Sequence, residues 1–430
     1  MTHSDYTRNI LNIKDKNIYF NENCLEVINI KGIKTKIFHG ILTYNPPSFC
    51  PICGCINNND NSIIKWAFKK NCKVKLDKVS NYNTILILDK QRFKCKYCNS
   101  TFTATTDLVD YHKQISNNTK LSVTLDLMEK GSEKDISKRH NISSSSTNRI
   151  LDEISKDTII KNNGSLPTVI GIDEFKATTD TKSKMAFIIV DQNNKNIFDI
   201  INSRKSNDIE NYFRRYSRIE RMKVKFITLD LYKPYYHLMH KLFPNAILVP
   251  DRFHIVIQAR NVLDKTRISL CKKANPNYRK LKKYWKLILK SENDLDDKKK
   301  FYSPCFRKEI TQKYIVTYLI NTNKELKATY NYYQGILKSI DKRDINLFLS
   351  IINNKNNNLS IYANKANKTF INMKSYILNS LKYEYSNGIV EGTNNLIKQI
   401  KHVACGYRKF KHLKARVMLV KGLLNPIKST

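Results

Sequence analysis

The chain has 430 residues, with 76 Lys and Arg against 37 Asp and Glu, a formal net charge of +39, and 41% hydrophobic content. That composition excludes a disordered tail protein, and at roughly 150 residues per domain it predicts two to four domains, each able to bury a core. No run approaches the ~18 apolar residues of a bilayer span, and the start lacks the basic-then-apolar order of a secretory leader, so a cytoplasmic chain without a membrane partner is expected. The ten cysteines then read as thiols or metal ligands rather than disulfides. The positive charge predicts a polyanionic partner, nucleic acid foremost. Abundant Lys, Asn and Ile leave compositional bias open as a partial source of that charge.

Residues 1–112 read as a β-rich domain. KIFHGILTY, KVKLDKV and TILILDKQRFKC alternate as short strands, broken by Asn-Pro-Pro and Asn-Asn-Asn-Asp. Cys50 and Cys53, then Cys95 and Cys98, are two C-x-x-C knuckles separated by residues 54–94. Two residues between thiolates let a tight turn aim both sulfurs at one ion, and two such turns close a structural zinc ribbon with no open position for chemistry. Buried free thiols are the alternative, and Cys55 is a possible substitute ligand.

Residues 113–160 turn helical. Leu121, Leu125 and Met128 predict one apolar face; Ser132 with Asp135 predicts a capped helix start at about 133; Asn141 to Ser143 predicts the next. Two short helices after a longer one suit a helix-turn-helix, with Ser144, Ser145, Thr147, Asn148 and Arg149 presented to DNA and Ile150, Leu151 and Ile154 packed inward. An ordinary three-helix unit fits the same pattern.

Apolar runs at TVIGID, MAFIIVD, NIFDII, VKFITLD and AILVPD predict five strands over 165–255, with a polar helix near 207–220 and a short helix at PYYHLMHKLF. From 256 to 380 the text reads as helix without a strand, with an Asn/Lys loop near 353–369. The remainder reads as a helix and a basic tail. Asp173 and Asp230 end two apolar runs, and acids at the ends of adjacent strands can share divalent cations that accept phosphate oxygens. In the helix SNGIVEGTNNLIKQIKHV, Ile389, Leu396, Ile400 and Val403 form one side. Glu391, Asn395, Lys398 and His402 form the other, placing an acid among amide and cationic groups. Turn or capping acids and a solvated amphipathic helix remain open readings of these residues alone.

Taken in order, CPICG with RFKCKYCNSTFT, GIDEF, TLDLYKPY, FPNAILVPDRFH and SNGIVEGTNNLIKQIKHVACGYRKFKHLKARV resemble the insertion-sequence transposases of the ISL-three family, over nearly the whole chain from Cys50. The resemblance implies a multidomain α/β protein, with a ribonuclease-H-like catalytic domain carrying an α-helical insertion, preceded by a zinc ribbon and a helix-turn-helix. It implies catalytic core at 165–255, the insertion at 256–380 and the last part of the core at 381–430. Asp173, Asp230 and Glu391 would be the catalytic triad, binding Mg2+ or Mn2+ for cleavage and strand transfer without a protein-bound intermediate. Alternation sends Glu174 to the other face of its strand, and Asp251 and His254 would support the site or contact DNA, with Asp251 as a substitute for Asp230. Asn395 and Lys398 would contact DNA, and Arg408, Lys409, Lys411, Lys414 and Arg416 would neutralise phosphates.

Double-stranded DNA, both terminal inverted repeats and target, is the implied partner, with a homodimer acting on it near the nucleoid. Cys405, before Gly406-Tyr407-Arg408, departs from the larger residue expected there. Twenty-four scattered tyrosines with no Arg/His frame fit tyrosine recombination poorly, and His237 and His240 lack the His-hydrophobic-His spacing of rolling-circle nucleases. A catalytically silent DNA-binding regulator is the remaining alternative.

Overall fold

The computed structural model describes residues 2–57, 61–156, 164–354 and 356–424; three residues of the Asn-Asn-Asn-Asp break, one in the Asn/Lys run and the last six of the tail lie outside them. The first elements are α1 (His3–Ile10), β1 (Ile18–Tyr19), β2 (Leu25–Ile30), β3 (Ile33–Leu42), β4 (Ile63–Val79), β5 (Tyr82–Cys95), β6 (Thr101–Thr103), α2 (Asn117–Met128), α3 (Glu133–Arg139) and α4 (Ser144–Lys156). There follow β7 (Val169–Lys176), β8 (Met185–Asp191), β9 (Asn196–Ile201), α5 (Ser206–Arg214), α6 (Arg218–Met222), β10 (Phe226–Leu229), α7 (Lys233–Leu242), β11 (Ile247–Pro250) and α8 (Arg252–Leu270). Then come α9 (Tyr278–Lys283), α10 (Trp285–Ile288), the strands β12 (Phe301–Ser303) and β13 (Lys308–Ile310), α11 (Gln312–Asn321), α12 (Lys324–Asp341), α13 (Ile345–Asn353), α14 (Ile361–Asn372), α15 (Lys374–Lys382), α16 (Gly388–Val403) and α17 (Phe410–Val420). Two compact units result: residues 1–160 with 396–430, and residues 161–395.

In the first unit β1, β3, β5 and β4 lie in that order, with β2 added on β3 and β6 on β5. Strands β4 and β5 are long, and Ser80 and Asn81, both at positive φ, turn the chain between them as a two-residue hairpin of type I′ character requires. The sequence suggested shorter strands because β4 is bulged: its register against β5 slips between Lys65 and Ala67, Lys69 and Cys72, and Leu76 and Val79, so apolar alternation restarts three times. Ile18, Phe38, Leu42, Leu86, Leu88 and Phe93 fill the core on one face.

Helix α2 buries the side opposite to the one expected. Leu121 and Leu125 are exposed, while Val123, Thr124 and Leu127 point inward. Threonine is tolerated there because its hydroxyl is satisfied locally: Thr124 donates to the Lys120 carbonyl, and Thr119 pairs with Ser116. Helix α3 starts as expected, with Ser132 Oγ accepting from the Asp135 N–H at 3.1 Å and donating to its carboxylate at 2.6 Å. Ser143 Oγ accepts from the Ser146 N–H at the start of α4. The basic tail is itself the helix α17, whose Ala415 and Leu419 complete a core with Val123, Leu127, Ile136 and Leu151.

The second unit is a mixed α/β layer. Its sheet runs β11-β10-β7-β8-β9, with β7, β8 and β9 antiparallel and β10 and β11 parallel to β7. All five apolar runs are strands. A single core extends from Ile170 and Phe187 of the sheet to Phe370 and Leu381, so the helical block from α8 to α15 shares its apolar interior with the sheet. Three local expectations change here. The polar helix is two helices, α5 and α6. The β12–β13 hairpin, three residues a side, is too short to show alternation. Ser360 caps α14, accepting from the Ala363 N–H, so most of the supposed Asn/Lys loop is helical.

Truncating the fully buried Leu419 should cost about 2 to 5 kcal/mol of first-unit stability. Denaturant unfolding of Leu419→Ala beside the wild type measures it.

Candidate functional site

The register of three strands brings the acids together. Thr228 pairs with Gly171 across β10 and β7, and Leu229 pairs with Pro250 across β10 and β11. Carried past the end of each ladder, those registers align Asp230 with Asp173 and also with Asp251. Parallel strands lie about 4.8 Å apart, so three carboxylates emerge side by side at one edge of the sheet.

Helix α16 supplies the fourth. Glu391 shares with Asp251 and His254 a cluster whose ligand atoms lie within 4.8 Å of one another. The helix reaches the sheet because position 171 is glycine: a Cβ there would stand 2.5 Å from Val390 Cγ2 and 2.8 Å from Gln192 Nε2. A buried polar network fixes the chain leading into α16. Thr228 Oγ1 donates to Asn387 Oδ1 at 2.9 Å, Asn387 Nδ2 donates to the Ile172 carbonyl at 3.2 Å, and Gln192 Nε2 donates to Thr228 and to the Ser386 carbonyl. The buried side of α16 is Val390, Thr393, Asn394, Ile397 and Ile400; Val403, expected inside, is exposed.

Each acid has a distinct environment. Asp173 accepts a hydrogen bond from Asn394 Nδ2 at 2.6 Å and from the Glu174 N–H, yet burial raises its pKa overall. Asp230 lies 3.1 Å from His254 Nε2. Burial, with the neighbouring charge of Asp173, pushes its carboxyl up to about 7; His254 opposes, and Asp251 and Glu391 add to the rise. Asp251 is buried and caps α8 through the Phe253 N–H. Glu174 does point to the opposite face, where Tyr235 and Arg204 hold it. This crowd of negative oxygens with one imidazole suits a hard divalent cation. Sequence reasoning named Asn395 where Asn394 makes the contact, and it missed Gly171, Gln192, Thr228 and Asn387; the three-residue step from Glu391 to Asn394 was the available signal.

The thiols converge as well. Cys50, Cys53, Cys95 and Cys98 place their sulfurs within 4.8 Å of one another, with 3.9 Å for Cys50 to Cys98 and for Cys53 to Cys95. Sulfurs tetrahedrally arranged about 2.3 Å from a zinc ion stand about 3.8 Å apart, so the set fits. Cys95 is held down to about 6, chiefly by the Cys98 backbone N–H, which favours the thiolate a metal needs. Cys55 lies 3.3 Å from Cys95 but outside the four-sulfur set.

Of the residues expected to meet DNA, Ser144, Ser145 and Arg149 are exposed on α4 and Asn148 is half-buried. Thr147 is fully buried, turned inward with Ile150 and Leu151, and is therefore removed from that set. Asn395, Lys398, Arg408 and Lys409 are exposed, Lys414 is half-buried, and Lys411 pairs with Asp152. Arg416 is also corrected: at 1% exposure it donates to the carbonyls of Glu129 and Gly131, both at 2.7 Å, and joins α17 to the chain before α3.

A DDE family of the ISL-three type, described as transposase, matches residues 170–417, more than half of the chain. The chain belongs to this transposase family. The transposase domain of this family is ribonuclease-H-like, and the matched residues include the five-stranded sheet. A 120-residue stretch is also 34% identical to a Lactococcus lactis subsp. lactis protein described as an ATP-dependent protease, spanning 27% of this chain and 38% of that protein. That description belongs to the relative. No helix among the described residues is long and apolar enough to cross a membrane.

Two outcomes follow from the acid cluster. With its pKa raised from 3.8 to about 7, Asp230 favours folding below about 4, and that contribution is lost as pH rises through about 7. Divalent cation counters the ionised cluster of Asp173, Asp230, Asp251 and Glu391, so millimolar Mg2+ or Mn2+ should raise Tm more at pH 8 than at pH 5 in parallel thermal scans. A Cβ on Gly171 must push against Val390, so Gly171→Ala should keep the fold and lose most of that cation-dependent Tm shift.

Proposed function

We propose that this chain is a DNA transposase of an insertion sequence, which binds the terminal inverted repeats of its element and catalyses strand cleavage and strand transfer. The observation that carries the reading is the register of β7, β10 and β11, which aligns Asp173, Asp230 and Asp251 beneath Glu391 of α16. Asp173, Asp230 and Glu391 hold Mg2+ or Mn2+, and Asp251 and His254 border the same site. Bound metal would polarise the scissile phosphate and the attacking oxygen.

The chain's own groups perform the positioning. Asn394 fixes the Asp173 carboxylate by a 2.6 Å hydrogen bond, and His254 orients Asp230. The network of Gln192, Thr228 and Asn387 holds the base of α16 against the sheet, so the Glu391 carboxylate is delivered by a braced helix. With acids supplying ligands and water or a freed 3′-hydroxyl attacking, no covalent protein–DNA link forms.

Recognition falls to the first unit. Ser144, Ser145, Asn148 and Arg149 at the start of α4 read DNA, and the Cys50/Cys53/Cys95/Cys98 centre holds structural zinc that locks the ends of β5 and the turn before β4. Exposed Lys398, Arg408 and Lys409 neutralise phosphates, and exposed Asn395 hydrogen-bonds to the DNA. Two copies act together on paired element ends in the cytoplasm.

Asp173→Ala separates this reading from that of a silent DNA-binding regulator. Purified protein incubated with labelled element ends and Mg2+ should nick them. The variant should lose nicking by on the order of a thousandfold or more, while gel-shift binding persists. A wild-type protein that binds ends without ever cutting them supports the regulator, and a variant that still cuts refutes the triad.

A further inference from the structure

A fifth thiol stands beside the four that converge. Cys55 Sγ lies 3.3 Å from Cys95 Sγ, closer than the 3.9 Å that separates Cys53 from Cys95 or Cys50 from Cys98. The backbone fixes it there. Gly54, at a φ of +75°, closes the knuckle by donating its N–H to the Cys50 carbonyl at 2.9 Å, and the Cys55 carbonyl accepts from the Cys50 N–H at 2.8 Å. Phe49 and Ile56 continue the pairing as an antiparallel bridge, so Cys55 is carried on the same turn that presents Cys50 and Cys53. Cys95 is held from the other side, as the last residue of β5 opposite Ile63 of β4.

Cys55 is not a fifth ligand. A structural zinc takes four, and Cys50, Cys53, Cys95 and Cys98 lie mutually within 4.8 Å while Cys55 falls outside that set. Its sulfur instead touches one ligand sulfur, and two thiols in contact are a single two-electron oxidation away from a disulfide. The two are unequally exposed. Cys95 is buried and Cys55 half-buried, so Cys55 is the member of the pair that a small oxidant reaches from solvent.

We propose that Cys55 is the oxidation site of this centre: a hydroperoxide converts Cys55 and Cys95 into a disulfide, and the zinc loses a ligand. The inference rests on the zinc reading of the four-sulfur set and involves neither the acids nor DNA. Its two steps balance. The Cys55 thiol takes the terminal oxygen of the hydroperoxide and becomes a sulfenic acid, and its proton leaves with the alcohol or, from hydrogen peroxide, with water. The Cys95 thiolate then leaves zinc and attacks the Cys55 sulfur; the S–S bond forms, the S–O bond breaks, and the departing hydroxide takes a proton from solvent. Each sulfur gives up one electron, and the peroxide bond accepts both. With three protein ligands the zinc site is open, and a chelator can strip the ion.

The test uses the full-length, zinc-loaded protein treated with hydrogen peroxide while a chromogenic chelator reports free zinc. Wild type should release zinc as its intact mass falls by two hydrogens, and peptide mapping should place the new bond between Cys55 and Cys95. Dithiothreitol with fresh zinc should restore it. Cys55→Ser should bind zinc equally and keep it over the interval in which wild type loses it. Cys72→Ser removes a thiol of the same unit that donates to the Lys69 carbonyl at 3.6 Å, and it should behave as wild type. Release from Cys55→Ser at the wild-type rate, a bond joining two of the four ligands, or no recovery under dithiothreitol would each overturn the proposal and leave the zinc site standing. A Cys55→Ser chain unable to bind zinc makes Cys55 a ligand and overturns it as well. A wild type that never holds zinc removes the zinc reading itself and the proposal with it. None of these outcomes touches the nicking assay.

Discussion

Mutual repulsion among carboxylates is the constraint around which the second unit is built. Asp173 within β7 stands in register with Asp230 and Asp251 just past the ends of β10 and β11, and α16 brings Glu391 to Asp251 and His254. Burial raises the Asp173 and Asp230 carboxyls above their ordinary range, and at Asp230 the neighbouring charge of Asp173 adds to the rise. The fold tolerates the arrangement because the surrounding supports are neutral and fully hydrogen-bonded: Asn387 to the Ile172 carbonyl, Thr228 to Asn387, Gln192 to both Thr228 and the chain before α16. Repulsion is thereby confined to the acidic side chains, while the backbone beneath them is cross-tied.

Glycine 171 governs how close the two halves of that arrangement come. Its missing side chain lets Val390 rest on the sheet, and the space it leaves is shared with Gln192 and Thr228. One absent methyl group thus serves both apolar packing and the polar network. The large helical block does not float free of this assembly, since its interior from Leu263 to Phe370 is continuous with the apolar underside of the sheet.

Much of this was legible in the sequence. Five apolar runs gave five strands, the paired C-x-x-C knuckles came together, and Glu391 clustered with Asp251 and His254, while Asp173 and Asp230 stand in the register beside Asp251. What was hidden has physical causes. The bulges in β4 broke its alternation into apparent fragments. Thr124, whose hydroxyl donates to the Lys120 carbonyl, is buried in α2 where Leu121 and Leu125 were expected, and Thr147 is turned inward although its buried hydroxyl makes no hydrogen bond among the described residues. Arg416 looked like one more surface cation because a sequence does not display the carbonyls that end-cap its guanidinium. In α16 the apolar count favoured a stripe through Ile389 and Val403, but the buried asparagine and threonine moved the true stripe by one position, toward Asn394.

Helix α17 stands near the end of the chain, yet Ala415 and Leu419 belong to the same core as Val123, Leu127 and Ile136. During synthesis the three helices from α2 to α4 emerge early and wait, with that core open, until α17 has left the ribosome. That core is therefore completed last, although most of its residues are made first. A product released before residue 410 would hold Asp173, Asp230, Asp251 and Glu391 but leave the core of α2 to α4 open.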